Sequence, residues 1–213
     1  MKVLLIILLL PILSINAQKI GQFAEEKPRE TFPDNSLGLD LMVGEGGFGL
    51  GGFYRHQYSD VFTGFLDLSI SESKNERELD RFDIFGRPLP TFGKKNRVFL
   101  VPLNFGLQYR LFYSVLTDNL RPYINFGIGP TMVITTPAER EFFKSFGYAK
   151  AKFAAGGYFG LGANFGISKS NLVGINIRYY LIHFFDEGVE NFYDSFHKDL
   201  GHFYLTIDRK SVV

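Results

Sequence analysis

The chain has 213 residues, a net charge of +1 and no cysteine. That length suffices for one domain or one barrel, and the near-neutral charge excludes a broad nucleic-acid surface. The missing thiols exclude disulfides, thiolate metal sites and a lipid-carrying N-terminal cysteine. With 24 Phe, 11 Tyr, 23 Gly and 0 Trp, the composition is that of an aromatic-rich β protein rather than a helical one.

The N-terminus reads MKVLLIILLLPILSINAQ. One Lys, an apolar run from Val3 to Leu13 and a short small-or-polar stretch are the three parts of a secretory signal peptide, assigned to 1–17 with cleavage after Ala17. The run falls short of the roughly 20 apolar residues a spanning helix needs. Residues 18–35 are polar, include EEKPRE, and are expected to form a flexible tail. The rest, 36–213, is expected to be a β-barrel.

Alternating apolar and polar residues predict eight strands, near 36–44, 47–56, 60–71, 97–112, 120–135, 152–168, 172–184 and 200–209. From the third strand on, the connections run long, short, long, short, long. Membrane barrels of up-and-down topology have short turns at one end and longer loops at the other, and a β-sandwich has no reason to sort its loops in this way. Only the GEG connection between the first two strands breaks the pattern.

The stretch LVPLNFGLQYRLF carries Leu103, Phe105, Leu107 and Tyr109 on one face and Asn104, Gly106, Gln108 and Arg110 on the other. In a soluble sheet the polar face meets water; in a membrane barrel the apolar face meets lipid. Lysine separates the two. None lies between Lys95 and Lys144, nor between Lys169 and Lys198. A soluble barrel places lysine on its wet face at little cost. Here the polar face is built from Gly, Asn, Tyr, Gln and Thr, as an enclosed face is. The apolar face runs through Leu66, Leu68, Ile70, Ile124, Phe126, Ile128, Phe159, Leu161, Phe165, Ile175, Ile177, Leu181, Phe203, Leu205 and Ile207. Each stretch covers about the 9–11 residues of a tilted β crossing. Tyr54, Tyr109 and Tyr113, near strand ends, are candidate interface anchors.

LRPYINFGIGP and VPLNFGLQYRLF resemble the paired central strands of the small bacterial outer-membrane β-barrel family, the porin-like and opacity-like eight-stranded barrels. Arg121, Pro122 and Tyr123 open one strand and Gly127 and Gly129 follow; Pro102, Gly106, Tyr109 and Arg110 mark the other. The resemblance covers most of the chain after residue 35. It implies an all-β, eight-stranded antiparallel transmembrane barrel in the outer membrane of a bacterial cell. It says little of activity. The chain departs from the family in ending LTIDRKSVV, without a terminal aromatic residue.

Strand parity places Asp40, Arg55, Asp67, Asn104, Gln108, Arg110, Asn125, Asn164, Asn176, Arg178, Tyr180, Tyr204, Thr206 and Asp208 inside. Buried charges must pair, and Arg and Asp pair in a forked geometry. The expectation is an ion-paired plug with Arg110 paired to Asp40, Asp67 or Asp208. Eight strands leave only enough room for side chains, which favours a plug over a small-solute channel.

Three stretches invite a chemical reading. His183 in YYLIHFFDE has Asp186 and Glu187 close by, but Phe185 stands where the lipid A deacylase family has a Ser two residues after its His. DEGVENFYDSFHKD holds oxygen donors without the organised spacing calcium requires. GEGGFGLGG lacks the Lys-Ser/Thr ending of a phosphate loop. No catalytic, cofactor or metal residue is therefore assigned. The expected role is non-enzymatic, exported, embedded in outer-membrane lipid, with segments 72–96 and 186–199 as partner surfaces. Phe82, Ile84, Phe85, Leu89 and Phe92 make the first of these apolar in its middle, as fits a partner site or, equally, a lid packed across the barrel mouth. The alternatives are a lipid-modifying barrel enzyme, a small-solute channel and a soluble lipocalin-like barrel with an apolar ligand inside.

Overall fold

A computed structural model describes residues 34–74, 81–82, 84–85, 88–89, 93–116, 120–166 and 171–212. The signal peptide expected at 1–17, most of the tail expected at 18–35 and parts of segment 72–96 lie outside the described residues. In chain order the strands are β1 (Asn35–Gly44), β2 (Gly47–Gln57), β3 (Phe62–Ser73), β4 (Arg81–Phe82), β5 (Pro88–Leu89), β6 (Asn96–Arg110), β7 (Leu120–Pro137), β8 (Lys150–Gly166), β9 (Asn171–His183), β10 (Val189–Phe192), β11 (Ser195–His197) and β12 (Asp199–Val212). A single helical turn, α1 (Phe142–Ser145), continues into a 3-10 turn over Phe146–Tyr148.

Eight of these strands close a barrel in the order β1-β12-β9-β8-β7-β6-β3-β2. Every neighbour is antiparallel. Closure comes from β1, which pairs with β2 and β12 at once, so that Asp40 stands opposite Gly51 on one side and Asp208 on the other. A closed sheet has no free edge and satisfies its own backbone hydrogen bonds. The two-residue hairpin between β1 and β2 turns at Gly47, whose φ of +113° admits a side chain only under strain.

Several boundaries differ from the expected ones for local reasons. β3 begins at Phe62 rather than 60, because the N–H groups of Tyr58 and Ser59 both bond the Phe62 carbonyl and close a turn there. β6 ends at Arg110 rather than 112: Phe112 adopts φ +53°, and its carbonyl accepts from Val115 and Leu116. The last strand runs on to Val212, beyond the expected 209. The long connections also hold structure that alternation did not announce, namely the hairpins β4–β5 and β10–β11 and the turn at α1.

The burial pattern alternates along the barrel strands, broken on β6 where Val98, Phe99 and Leu100 are buried in succession. Leu39, Leu41, Leu50, Leu66, Leu68, Phe105, Leu107, Phe126, Ile128, Leu161, Ile175, Ile177, Leu205 and Ile207 are exposed on the outer wall, with no charged residue among them. Asp40, Asp67, Asn104, Asn176, Arg178, Thr206 and Asp208 are buried in the lumen. A lipocalin-like barrel has the reverse arrangement, with its apolar face inside. The connections sort by end. The short links and both ends of the closed sheet share one rim; the β1–β2 hairpin, β4–β5, α1 and β10–β11 stand at the other.

Candidate functional site

The lumen is filled by two ion-pair groups. In the first, Arg178 on β9 donates from Nη1 to Asp67 on β3 at 2.8 Å, and its Nη2 lies 2.8 Å from the Asp40 carboxylate on β1. The Asp40 contact is an ion pair out of hydrogen-bond alignment. The guanidinium also faces the Tyr158 ring, 5.1 Å from its centroid. In the second, Arg55 on β2 donates to Asp208 on β12 at 3.2 Å and lies 4.2 Å over the Phe53 ring. Lys210, 3.8 Å from the same carboxylate, donates to the Asn164 side-chain carbonyl.

Parity explains why these groups meet. Asp40 and Asp208 are Cα partners across β1 and β12, Asp208 faces Gly174 on β9, and Gly174 faces Asn164 on β8. A Cβ added at Gly174 would stand 2.0 Å from an Asp208 carboxylate oxygen, and one at Gly160 would stand 2.2 Å from the Asn125 carbonyl oxygen. Glycine at these positions leaves the space that polar side chains from neighbouring strands occupy.

Arg110 is not part of this lattice. It is half-buried at the short-link rim, with its guanidinium 4.9 Å from the Tyr113 ring centroid. The expected pairing of Arg110 with an inward aspartate is made instead by Arg178 and Arg55. Gln108, Asn125, Asn164 and Tyr180 are buried in the lumen, and the Tyr204 hydroxyl donates to the Glu72 carbonyl at 2.7 Å. Sequence reasoning missed two buried cations, Lys210 and Arg121. Extending the last strand two residues past Asp208, to the next inward position, finds the first.

Toward the long-loop end the lumen turns apolar. Val98, Leu100, Val133, Ala154 and Ile182 from the wall pack with Phe184, just past β9, and Val189 at the start of β10. A dry plug of this kind excludes water and ions. A second lumen cluster joins Met42, Phe65, Tyr158, Tyr180 and Tyr204.

Above the plug, β10–β11 is tied to the wall. The Lys95 ammonium bonds the Glu190 carboxylate, and Asn96 donates to the Glu190 carbonyl at 2.7 Å. Lys152 donates to Asp186 at 2.9 Å and to the Gly188 carbonyl at 2.6 Å. The hydrogen bond from Lys95 and the Asp194 N–H hold Glu190 below its ordinary range, and Lys95 is raised by the same bond. Lys152 and the Gly188 N–H lower Asp186 in the same way. A cleft of about 430 Å³ opens here, lined by Lys95, Thr135, Tyr148, Lys150, Lys152, Tyr193 and Phe196.

Two histidines meet groups that invite a catalytic reading. His183 is exposed on the outer wall, with Nδ1 2.7 Å from Asp199; its neighbour Phe185 packs edge-on against its ring. His202 lies 2.6 Å from the Ser73 hydroxyl, but both are buried inside the barrel. Among the described residues no group of three or more His, Asp or Glu is placed to hold a metal ion.

No protein-family model and no curated protein matches the chain. Solved structures do. Neisserial surface protein A superposes with a TM-score of 0.51 at 8% identity, over 84% of this chain and 94% of that one. A major outer membrane protein from Thermus thermophilus superposes with a TM-score of 0.50 at 10% identity, over 83% and 97%. At such identities the likeness is one of fold, and it covers nearly the whole of both relatives. The closed antiparallel sheet, its apolar exterior and its filled lumen give this chain the fold of the small eight-stranded β-barrels of bacterial outer membranes.

Proposed function

We propose that the protein is a non-enzymatic integral protein of a bacterial outer membrane, exported by its N-terminal signal, whose barrel anchors a contact surface built from the long-loop end. The observation that carries this reading is the uncharged apolar belt around a closed barrel whose lumen is filled. The belt favours lipid outside. The ion pairs and the apolar plug leave little room for a solute path or an acyl chain inside. His183 stands beside Phe185 rather than a serine at the second position after it, which favours a structural role for the histidine. The hairpins β10–β11 and β4–β5 then present the partner surface on a rigid scaffold.

Cells with and without the protein are fractionated, their outer-membrane lipids are weighed by mass spectrometry, and the purified protein is placed in a planar bilayer. The reading expects the protein in the outer-membrane fraction, unchanged lipid masses and no conductance steps. A lipid that gains or loses an acyl chain only when the protein is present overturns it in favour of a lipid-modifying enzyme. Resolved conductance steps overturn it in favour of a channel. Recovery in a soluble fraction without detergent rejects membrane residence altogether.

A further inference from the structure

The segment between β7 and β8 does not reach up from the barrel mouth. It folds back against the outside of the wall. Phe99 lies on the outer face of β6, in line with Val101, Leu103 and Phe105, yet only 8% of it is exposed. What covers it is the α1 turn. The Phe146 ring lies 5.6 Å from the Phe99 ring and the Phe142 ring 6.2 Å from it, and Phe142 and Phe146 pack together at 5.4 Å. Arg97 fastens the start of the segment, donating to the carbonyls of Pro137, Ala138 and Arg140.

The outer side of this shelf is aromatic. Phe143 is 82% exposed, and Phe142, Phe146 and Tyr148 are each exposed as well. A soluble loop has no reason to present such a run, FFKSFGY, to water. The shelf continues the apolar belt at its upper edge, where Phe99 pairs with Ile134, so the same medium meets both.

The shelf carries cations. Arg140 lies 3.9 Å from the Tyr148 ring centroid. Lys144 pairs with Glu141 at 2.7 Å, but both are exposed, and such a pair is weak enough for another anion to compete. The nearby Glu139 is engaged by the Tyr193 hydroxyl.

We infer that the α1 shelf lies in the interfacial layer of the outer leaflet, its phenylalanines among the upper acyl carbons and Arg140 and Lys144 on the phosphates of lipid headgroups. Aromatic rings that are apolar at one end and wet at the other favour this depth, and each Lys or Arg near an anionic surface adds attraction. The inference rests on the membrane residence proposed above.

The chain contains no Trp, so Phe143→Trp introduces a single indole. The full-length variant is placed in vesicles of phosphatidylcholine, with a share of either brominated phosphatidylcholine or brominated phosphatidylglycerol. A second variant, Phe126→Trp, reports from the middle of the belt. The indole at position 143 should emit to the blue of its value in water, resist acrylamide and be quenched by the brominated lipids, more strongly by the anionic one. Local enrichment of the anionic lipid should be about fivefold per cation, and Arg140→Gln with Lys144→Gln should abolish the difference. If position 143 is quenched by acrylamide and ignored by lipid while position 126 is quenched by lipid, the shelf inference is overturned and membrane residence stands. If neither position is quenched by lipid, membrane residence itself fails. Equal quenching by both lipids, unchanged by the double substitution, overturns the recognition of phosphate.

Discussion

Arg178 on β9 reaches across the lumen to Asp67 on β3, with 2.8 Å between guanidinium nitrogen and carboxylate oxygen and both side chains essentially unexposed. The two strands are not neighbours in the barrel. The pair therefore braces the wall from within, and Asp40 adds a third strand to the same brace. Arg178→Leu leaves two buried carboxylates without their cation. Breaking a buried pair by removing one partner costs about 3–5 kcal/mol. Urea unfolding in detergent, followed by the mobility of unboiled samples on a gel, should show a loss of this size for Arg178→Leu and a clearly smaller one for Arg110→Leu. Equal losses would mean that the rim arginine matters as much as the central one.

The glycines facing the lumen are tested by adding one methyl group. Gly174→Ala sets a Cβ 2.0 Å from Asp208, which must then shift away from Arg55 and Lys210. Overpacking of this kind costs about 1–3 kcal/mol. At Gly52 the nearest atom to an added Cβ is the Gly38 carbonyl oxygen at 3.8 Å, ordinary contact. Gly52→Ala should leave the unfolding midpoint close to that of the parent, and a comparable drop in both variants would count against the close packing of Gly174 on Asp208.

The two faces of β8 are separated by labelling. Leu161 is exposed on the wall and Asn164 is buried in the lumen. In this cysteine-free chain, Leu161→Cys should react with a membrane-embedded thiol probe and Asn164→Cys should not. Leu161→Arg places a charge on the lipid face and should cost about 2–4 kcal/mol near the bilayer midplane, seen as a lower folded yield in vesicles. Free reaction of the cysteine at 164 with a bulky water-soluble reagent, with 161 silent to both probes, would put the polar face outside.

Acid should release the β10–β11 hairpin. Glu190 and Asp186 are held below their ordinary values by Lys95 and Lys152. A carboxylate lowered in the folded state contributes stability above its ordinary value and loses it as pH falls through the lowered one. Amide exchange of 184–198, corrected for its intrinsic pH dependence, should stay constant from neutral pH to about 5 and rise only below about 4, the ordinary carboxylate range. A rise near neutrality would count against the two carboxylates as the cause.

Alternation alone determined much of this molecule. The period of two along each strand assigns every residue to one of two faces, and the scarcity of lysine on the polar one says which is enclosed. Hence Leu107 and Leu161 outside, and Asp40, Asp67 and Arg178 inside, are legible in the chain. Parity also reaches Lys210, once the last strand is drawn to its observed end. What parity cannot supply is height. Which inward arginine meets which aspartate depends on strand stagger and tilt around the closed wall, and that offset puts Arg178 level with Asp67 while Arg110 sits at the rim. The apolar plug also depends on stagger, since it gathers Val98, Val133 and Ile182 from three strands with Phe184 from just past β9 and Val189 from the start of β10. The α1 shelf was beyond reach for another reason. Nothing in FFKSFGY says whether those rings point up from the mouth or fold down the wall, because the answer lies in Phe99 and Arg97, far earlier in the chain, which become its neighbours only when β6 and β7 pair.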